Sequence, residues 1–277
     1  MQPMRLNGSV ARGRDMSVWF GAVPALTSSD LDIPAGTVTA VIGPNGAGKS
    51  TLLNLIAGLV TPTTGTLEVG VEPARLAYVM QATKVNETLP VTVREVVSMG
   101  RYAALGPYRR MGRDDRESVT AAMERLGIAD LASRHLHDLS GGQRQRVFVA
   151  QGLAQDHDLL LLDEPLTGID LTTAQAIDDV IHRETDDGCT VVMTTHDLSE
   201  ARSADYVVLL SGRVVASGVP AEVLTETNLV EAYGPSLLHV ERGRVFLDDP
   251  AHAPVGGRHI HERSIHTESD RTDVHGT

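Results

Sequence analysis

The chain has 277 residues, of which 42% are hydrophobic and 22% are charged, and its formal net charge is −12. This composition is typical of a globular protein with one large α/β domain or two modest ones. The negative charge argues against general nucleic-acid binding, which needs clustered lysine and arginine. No apolar run approaches the roughly 18 residues of a membrane span, and no signal-like stretch opens the chain. We therefore expect a cytosolic protein unless a partner holds it at a membrane.

The first predicted elements are a strand, a glycine-rich loop and a helix. The run "GTVTAVIG" at 36–43 is rich in β-forming residues and ends on glycine. The helix that follows has apolar residues at helical spacing, namely Leu52, Leu55, Ile56 and Leu59. Residues 61–72, "TPTTGTLEVGVE", predict a turn and an edge hairpin.

The middle of the chain changes from helical to strand patterns. Residues 91–132 have helical periodicity, in two segments that each end on glycine. After "DLSGGQRQRV" at 138–147, another helix leads into "DLLLLDEP" at 158–165, a continuous apolar run typical of a buried parallel strand. A helix at about 171–186 and two strands, "GCTVVMTTH" and "YVVLLSG", follow. The alternation predicts an α/β layered sheet with a helical insert at about 88–140.

The segment at 248–277 is polar and mixed in charge, and we predict that it is a mobile tail. Five of the eleven histidines lie in it: His252, His259, His261, His266 and His275. Imidazoles on such a segment suggest loose binding of Zn²⁺, although a polar tail that happens to contain histidine is the simpler interpretation. The single cysteine, Cys189, excludes a disulfide framework and is interpreted as a small core residue.

The segment "GPNGAGKST" has the spacing of a phosphate-binding loop. Its glycines let backbone N–H groups surround phosphate oxygens without Cβ clashes, its lysine reaches the β- and γ-phosphates, and its serine hydroxyl ligates Mg²⁺. The predicted nucleotide-binding residues are Gly43, Pro44, Asn45, Gly46, Ala47, Gly48, Lys49, Ser50 and Thr51. A plain glycine-rich turn is the alternative. The strand before the loop and the helix after it argue against that alternative.

Polar residues at three strand ends complete a predicted catalytic centre. Adjacent side chains on a strand point to opposite sides, so Asp163 and Glu164 should differ in role. Asp163 would face Mg²⁺ beside Ser50, and Glu164 would orient or deprotonate the attacking water. His196 would bridge that water and the γ-phosphate, and Gln81 would link Mg²⁺ or water to the helical insert. Solvated acids and a structural histidine are the alternatives.

A second anion-binding helix start is predicted at Ser140. This residue is a candidate N-cap, and Gly141 and Gly142 leave the first backbone N–H groups of the helix uncovered. One chain with one phosphate loop therefore carries two such helix starts, and the second one needs a phosphate from elsewhere.

The motifs taken together resemble those of ABC-type ATPases. "GPNGAGKST", Gln81, "LSGGQ", "LLLLDEP", "LTGID" and His196 stand in the order of the Walker A, Q-loop, signature, Walker B, D-loop and H-loop motifs, from about residue 16 to 234. The resemblance implies a P-loop NTPase core with a mixed sheet, an antiparallel N-terminal β subdomain and an inserted helical signature subdomain. That domain would cover residues 1–247.

The resemblance also assigns roles to single residues. It implies ATP and Mg²⁺ as cofactors, with Ser50, Gln81 and Asp163 as the residues at the metal. It gives catalytic roles to Lys49, Glu164 and His196, and it places Asp170 of the D-loop at the nucleotide. Phe20 stands where the family has an aromatic that stacks on adenine. Tyrosine is usual there, so the neighbouring Trp19 competes with Phe20 for this role.

In the family, two domains pack head to tail and each signature helix closes over the ATP of the other chain. The resemblance therefore implies a second copy of this chain as a partner, with a single-chain tandem arrangement not expected at this length. The residues that would bind the γ-phosphate of the partner's ATP are Ser140, Gly141, Gly142 and Gln143. This arrangement answers why a second anion-binding helix start is present.

Two further stretches, "LPVTVREVVSMGRYAALG" and "LLLLDEPLTGIDLTTAQ", are similar to ATPase subunits of manganese, zinc and iron importers. This likeness implies an integral-membrane permease as partner, an extracytoplasmic solute-binding protein acting indirectly, no nucleic acid, and a location on the cytoplasmic face of the cell membrane. Siderophore and haem importer ATPases are the second interpretation. A soluble ABC ATPase and a non-catalytic nucleotide switch are weaker ones, because Glu164 and His196 are both present and no basic stripe or long heptad pattern occurs.

Overall fold

The structure is a computed structural model that describes residues 6, 8–81, 90–105, 110–235, 238–241 and 244–247, with backbone alone for 103–104 and the last two ranges. The polar tail predicted at 248–277, with its five histidines, lies outside the described residues. So do positions 88 and 89, at the predicted start of the helical insert.

A six-stranded mixed sheet forms the centre of the fold. Its strands, in spatial order, are β5 (Leu76–Val79), β6 (Leu159–Leu162), β7 (Thr190–Thr195), β3 (Val38–Ile42), β8 (Tyr206–Leu210) and β9 (Val214–Gly218). All neighbours are parallel except β8 and β9, which are antiparallel. The predicted mixed sheet is confirmed. Because β6 pairs with β7 and β7 with β3 in parallel, their carboxyl ends meet at one edge.

A second, three-stranded antiparallel sheet is built from β2 (Val23–Pro34), β1 (Ser9–Phe20) and β4 (Thr64–Val69), in that order. It confirms the predicted antiparallel N-terminal subdomain. The edge hairpin expected at 61–72 is wrong, because this stretch supplies one strand. That strand, β4, pairs with β1 in a register that places Ala11 opposite Val69.

Eight helices surround the sheets in the described part of the chain: α1 (Lys49–Ile56), α2 (Val93–Leu105), α3 (Arg113–Arg125), α4 (Gly141–Leu153), α5 (Leu171–Asp186), α6 (Leu198–Ser203), α7 (Pro220–Val223) and α8 (Glu226–Tyr233). A backbone hairpin of β10 (Leu238–Glu241) and β11 (Arg244–Leu247) follows them. Within the described ranges, none of the helices combines the length and apolar character needed to cross a bilayer.

The predicted helix after the glycine-rich loop is shorter than expected. It ends at Ile56, and Gly58 then turns the chain with a φ of 70°. Leu59, expected on the buried face of this helix, is 66% exposed. Glycine at this left-handed position favours helix termination more strongly than the apolar spacing favours extension. The helix predicted at 171–186, in contrast, is confirmed with the same bounds.

Two hydrophobic cores lie on opposite faces of the central sheet. Ala40 and Ile42 of β3 belong to the core shared with α2–α5, whereas Val41 belongs to the core shared with α1 and the antiparallel sheet. This alternation is what a strand buried on both faces requires. Helices α2 and α3 pack against α4, so the insert is joined to the helix that begins at the signature sequence.

Candidate nucleotide site

The glycine-rich loop connects the buried strand β3 to α1, and two of its glycines are required by close backbone contacts. A Cβ atom on Gly43 would lie 2.2 Å from the carbonyl oxygen of Leu210. One on Gly48 would lie 2.7 Å from the carbonyl oxygen of Ala25, and Gly48 has a φ of 99°. Any side chain at either position would displace neighbouring backbone, so the loop conformation depends on glycine.

The N-terminus of α1 is arranged to receive an anion. Its N-cap is Gly48, no side chain caps the first turn, and no acidic residue lies in that turn. The backbone N–H groups there and the positive end of the helix dipole favour phosphate. The side chain of Lys49 lies across the loop, where Nζ donates to the carbonyl oxygens of Gly43 at 2.8 Å and Pro44 at 3.4 Å. The loop therefore holds a cation beside uncovered N–H groups.

Ser50 and Asp163 meet at the carboxyl edge of the central sheet. The Ser50 hydroxyl lies 3.0 Å from Asp163 Oδ2, and Asp163 itself is 4% exposed. The Thr194 hydroxyl donates to Asp163 Oδ1 at 2.8 Å and holds the carboxylate in place. A carboxylate and a hydroxyl in contact are the hard oxygen donors that Mg²⁺ prefers. The residues present thus fit a Mg²⁺ ion.

Glu164 departs from the strand geometry that the sequence suggested. Strand β6 ends at Leu162, and Glu164 has a φ of 52°, in the left-handed region that non-glycine residues seldom adopt. The divergence of Asp163 and Glu164 therefore comes from a turn rather than from strand alternation, which corrects the expectation. The Glu164 backbone N–H donates to the Thr194 hydroxyl at 2.8 Å. A strained conformation held this way is a feature of functional sites.

Gln81 reaches Glu164 directly. Its Nε2 donates to Glu164 Oε2 at 3.0 Å, which joins the end of the β5 segment to the carboxylate predicted to activate water. Gln81 was also predicted to lie at Mg²⁺. The contact shown in the structure is with Glu164, the predicted base. Its role at the metal stays a prediction.

His196 follows the last residue of β7, Thr195, and is half-buried. Since β7 neighbours β6, His196 lies at the same sheet edge as Glu164. Thr194 was missed by the sequence reasoning, although it joins Asp163 and Glu164. Two buried threonines at the carboxyl end of the strand, Thr194 and Thr195, were the available signal. Only the pairing of Leu162 with Met193, one position earlier, reveals which residues Thr194 meets.

The signature helix α4 begins with a reciprocal cap. The Ser140 backbone N–H donates to Gln143 Oε1 at 3.0 Å, and the Gln143 backbone N–H donates to Ser140 Oγ at 3.3 Å. Gly141 is exposed and has open space around the position of its missing Cβ. The predicted N-cap at Ser140 is confirmed. Gln143 was predicted to bind a partner's phosphate, but its side-chain oxygen accepts a hydrogen bond within this cap.

Asp170 is the N-cap of α5. Its carboxylate accepts from the Thr173 backbone N–H at 3.0 Å and from the Thr173 hydroxyl at 2.8 Å, and the backbone contact lowers the pKa of Asp170. A Cβ on Gly142 would lie 3.0 Å from Asp170 Oδ2, so the starts of α4 and α5 abut. Leu171, beside the cap, is 74% exposed. The contact of Asp170 with nucleotide stays a prediction.

The two candidate adenine-stacking residues lie at the end of β1. Phe20 is 55% and Trp19 is 44% exposed. Trp19 pairs with Pro24 of β2, and the next residue, Ala25, is the one that contacts Gly48 of the phosphate loop. The pairing with β2 therefore brings the end of β1 toward the phosphate loop, and the choice between the two rings stays a prediction.

An apolar groove of about 300 Å³ lies between the sheet and the helical insert. Its lining includes Tyr78, Met80, Val96, Met99, Phe148 and Gln151. Met80 is 51% and Met99 is 41% exposed, so flexible thioethers lie open to solvent at this surface. Burial, with a smaller effect of Asp163, raises the pKa of Tyr78 to about 12. Met80, which lines the groove, is followed along the chain by Gln81, so the groove adjoins the nucleotide site.

The fold and the site define an ABC-type ATPase. The sequence profile of the ABC transporter family matches residues 26–167, which include the phosphate loop, Ser140 and Glu164. The chain belongs to this family. The sequence-based identification and fold class are thereby confirmed.

Several relatives with similar sequences belong to metal transport systems. The chain is 40% identical to a zinc transport system ATP-binding protein of Treponema pallidum, over 79% of this chain and 85% of the relative. It is 38% identical to a manganese transport system ATP-binding protein of Synechocystis, over 76% and 84%. It is 38% identical to a chelated iron transport system membrane protein of Yersinia pestis, over 81% and 79%.

Solved structures have the same fold. A metal-chelate type ABC transporter in an inward-facing conformation has a TM-score of 0.73 at 27% identity, over 86% of this chain and 95% of that one. An ATP-binding cassette described as a dimeric post-hydrolysis state, bound to ADP and phosphate, has a TM-score of 0.66 at 25% identity. It covers 76% of this chain and 98% of that one.

Proposed function

We propose that this chain is the ATP-hydrolysing subunit of a membrane importer for a transition-metal ion, working as a head-to-tail dimer on a separate permease. The observation that carries the proposal is the linked set of Ser50, Asp163, Thr194, Glu164 and Gln81 beside a phosphate loop, in a chain similar to zinc, manganese and iron transport subunits. The alternative cargo is iron held in a siderophore or haem.

Ser50 and Asp163 would hold Mg²⁺, with Gln81 at its periphery. When bound, the ion would neutralise negative charge on the phosphate oxygens. Lys49 and the first N–H groups of α1 would hold the β- and γ-phosphates from the other side. Phe20, or Trp19 in its place, would stack on adenine. The chain thus fixes the reacting phosphate with donors whose positions are set before hydrolysis, an effect worth several kcal/mol in comparable sites.

Glu164 would accept the proton of the water that attacks the γ-phosphate, and His196 would stabilise the arrangement of water and phosphate. General-base catalysis by a positioned carboxylate contributes about 10²–10⁴-fold. The left-handed backbone of Glu164 and its bond to Thr194 support this role, because they fix the backbone from which the base projects. Asp163 is then left for the metal.

Ser140, Gly141 and Gly142 would bind the γ-phosphate on a second copy of this chain, with Asp170 at the same interface. Two observations support the dimer. The tip of α4 is exposed at Ser140 and Gly141, and Leu171 next to Asp170 projects into solvent. Because the cap of α4 is complete without nucleotide, its N–H groups are already oriented for a phosphate.

The groove beside Gln81 would receive a cytoplasmic helix of the permease, which would hold this chain at the cytoplasmic face of the membrane. Exposed methionines suit an apolar helix surface. An amphipathic helix laid in a hydrophobic groove is a common recognition mode. A solute-binding protein outside the membrane would deliver cargo to that permease. Cargo would not touch this chain.

Radiotracer uptake in cells tests the proposal. We expect Lys49→Ala to abolish uptake of Mn²⁺, Zn²⁺ or Fe²⁺, whereas Arg113→Ala should leave uptake unchanged, because the Arg113 side chain is 89% exposed and pairs with Glu117 on the same helix. Unchanged uptake of all three free ions together with loss of a chelated-iron solute would favour the alternative cargo. Loss of an unrelated solute alone would contradict metal transport.

A further inference from the structure

Three side chains with metal-binding chemistry converge at the edge of the central sheet opposite the phosphate loop. His157 precedes β6, Glu184 lies in the last turn of α5, and Cys189 precedes β7. One ligand atom from each residue lies within 4.8 Å of the other two. All three side chains are buried, with His157 5% and Glu184 9% exposed. The mechanism of ATP hydrolysis uses none of them.

His157 is oriented as a histidine ligand. Its Nδ1 lies 2.6 Å from the carbonyl oxygen of Gln155, and because a carbonyl can only accept, Nδ1 carries the proton. Nε2 then faces Glu184, with Oε2 at 3.1 Å, although this buried nitrogen makes no hydrogen bond of normal geometry. Metal-ligating histidines are typically fixed in this way, with the distal N–H held by a carbonyl or carboxylate.

We propose that His157, Glu184 and Cys189 form a binding site for a borderline divalent transition-metal ion such as Zn²⁺. A thiolate, an imidazole and a carboxylate are the donor types that Zn²⁺ takes in proteins, and three protein donors leave one tetrahedral position open. Calcium and magnesium would be rejected, because they prefer all-oxygen sites. The site is separate from the transport cargo and does not depend on the proposed function.

The cluster needs little movement to close on an ion. With zinc–ligand bonds of about 2.0–2.3 Å, tetrahedral donors lie roughly 3.3–3.8 Å apart. At 3.1 Å, the contact between His157 and Glu184 is slightly shorter than that span, and the three ligand atoms lie within 4.8 Å of one another, so an ion would need shifts of about 1 Å or less. Cys189 lies between α5 and β7, one residue before the first residue of that strand.

Without an ion, two of these residues, His157 and Glu184, form a buried ion pair. Burial alone lowers the pKa of His157, but the close approach of Cys189 and Glu184 outweighs burial and raises this pKa to about 10. Arg125 of α3 also pairs with Glu184. Binding would replace the protons on His157 Nε2 and on the Cys189 thiol with the metal. The experiment must therefore distinguish a metal site from a closed ion pair.

Cobalt titration of the full-length chain makes this distinction. Cys189 is the single cysteine of the chain, so any sulfur-to-cobalt charge-transfer absorption reports Co²⁺ at this residue and at no tail histidine. We expect the band to saturate at one Co²⁺ per chain and to disappear when Zn²⁺ is added, since both ions accept the same donors. Absence of the band at saturating Co²⁺ would overturn the proposal.

Substitutions identify the other two ligands. We expect His157→Gln and Glu184→Gln each to weaken Co²⁺ binding roughly tenfold or more. His182→Gln, on the exposed side of α5, is the matched control and should bind Co²⁺ as the unchanged chain does. A band of unchanged affinity in His157→Gln would show a lone thiol reacting with the metal, and would contradict the site.

Glu184→Gln also removes the partner of Arg125, so its folding is checked by circular dichroism. If this variant does not fold, zinc-edge X-ray absorption on the unchanged chain with one equivalent of Zn²⁺ decides. One sulfur ligand together with nitrogen and oxygen ligands supports the site. A shell of nitrogen and oxygen alone overturns it.

Discussion

The acidic side chains at the two ends of strand β6 differ in their partners. At its carboxyl end, Asp163 and Glu164 are held by hydroxyl and amide donors from neighbouring strands, and a left-handed turn aims Glu164 away from Asp163. At its amino end, Asp158 forms an exposed ion pair with Arg75, and His157 is buried against Glu184. Neutral donors hold the acids at the carboxyl end without neutralising their charge, whereas cations neutralise the acids at the other end.

The comparison predicts that catalysis depends on the carboxyl end. Replacing Glu164 by Gln keeps the size of the side chain and removes the base. We expect ATP hydrolysis to fall by about 10²-fold or more, with nucleotide binding retained and the dimer trapped. Phosphate release measures the rate, and equilibrium binding of ATP checks the site. Near-normal hydrolysis by this variant would show that Glu164 is not the base.

A smaller effect is expected for the residue that joins the two acids. Thr194→Val preserves shape but removes the hydroxyl that Asp163 and Glu164 share. The unfolding free energy should fall by about 1–3 kcal/mol, because the two buried groups lose this partner. If Thr194 positions Asp163, the Mg²⁺ concentration needed for half-maximal ATPase activity should also rise.

Thr39→Val is the matched control for this experiment. Thr39 is fully buried on β3, and its hydroxyl lies 3.5 Å from that of Thr37, at the limit of a hydrogen bond. Urea unfolding and Mg²⁺ titration are measured for both variants. Equal Mg²⁺ dependence in the two would reduce Thr194 to a structural residue.

The smallest effect is expected at the amino end. Arg75→Gln breaks the ion pair with Asp158, in which both side chains are about half exposed. Exposed pairs contribute about 0.2–1 kcal/mol and are screened by salt. Urea unfolding should show a loss in this range at low ionic strength and a smaller one at high ionic strength. A loss that exceeds this range, or one that salt does not reduce, would mean that the pair is structurally essential.

Local features of the sequence predicted much of the nucleotide site. The reciprocal cap joins Ser140 to Gln143, three positions apart, and the start of α5 follows from a short-range cap at Asp170, so both depend on neighbouring residues. The phosphate loop is equally local. Its glycines, however, are explained by contacts with Leu210 and Ala25, which come from distant strands.

Features that depend on pairing between strands could not be predicted. The link from Thr194 to Asp163 requires the register of β6 and β7, and the convergence of His157, Glu184 and Cys189 requires the positions of three element ends. The expected hairpin at 61–72 was wrong for the same reason, because β4 finds its partner in β1, far earlier in the chain. Periodicity indicates an element but not its neighbour.

The hydrogen bond from Gln81 to Glu164 has a consequence for the ATPase activity of the chain when no partner occupies the groove. The Glu164 oxygen that accepts a hydrogen bond from Gln81 has one acceptor position fewer for an incoming water. Gln81 follows Met80, which lines the groove, so a partner helix bound in the groove would be placed to move the Gln81 amide and free the oxygen. We expect the isolated chain to hydrolyse ATP slowly, and the rate to rise only once a partner occupies the groove.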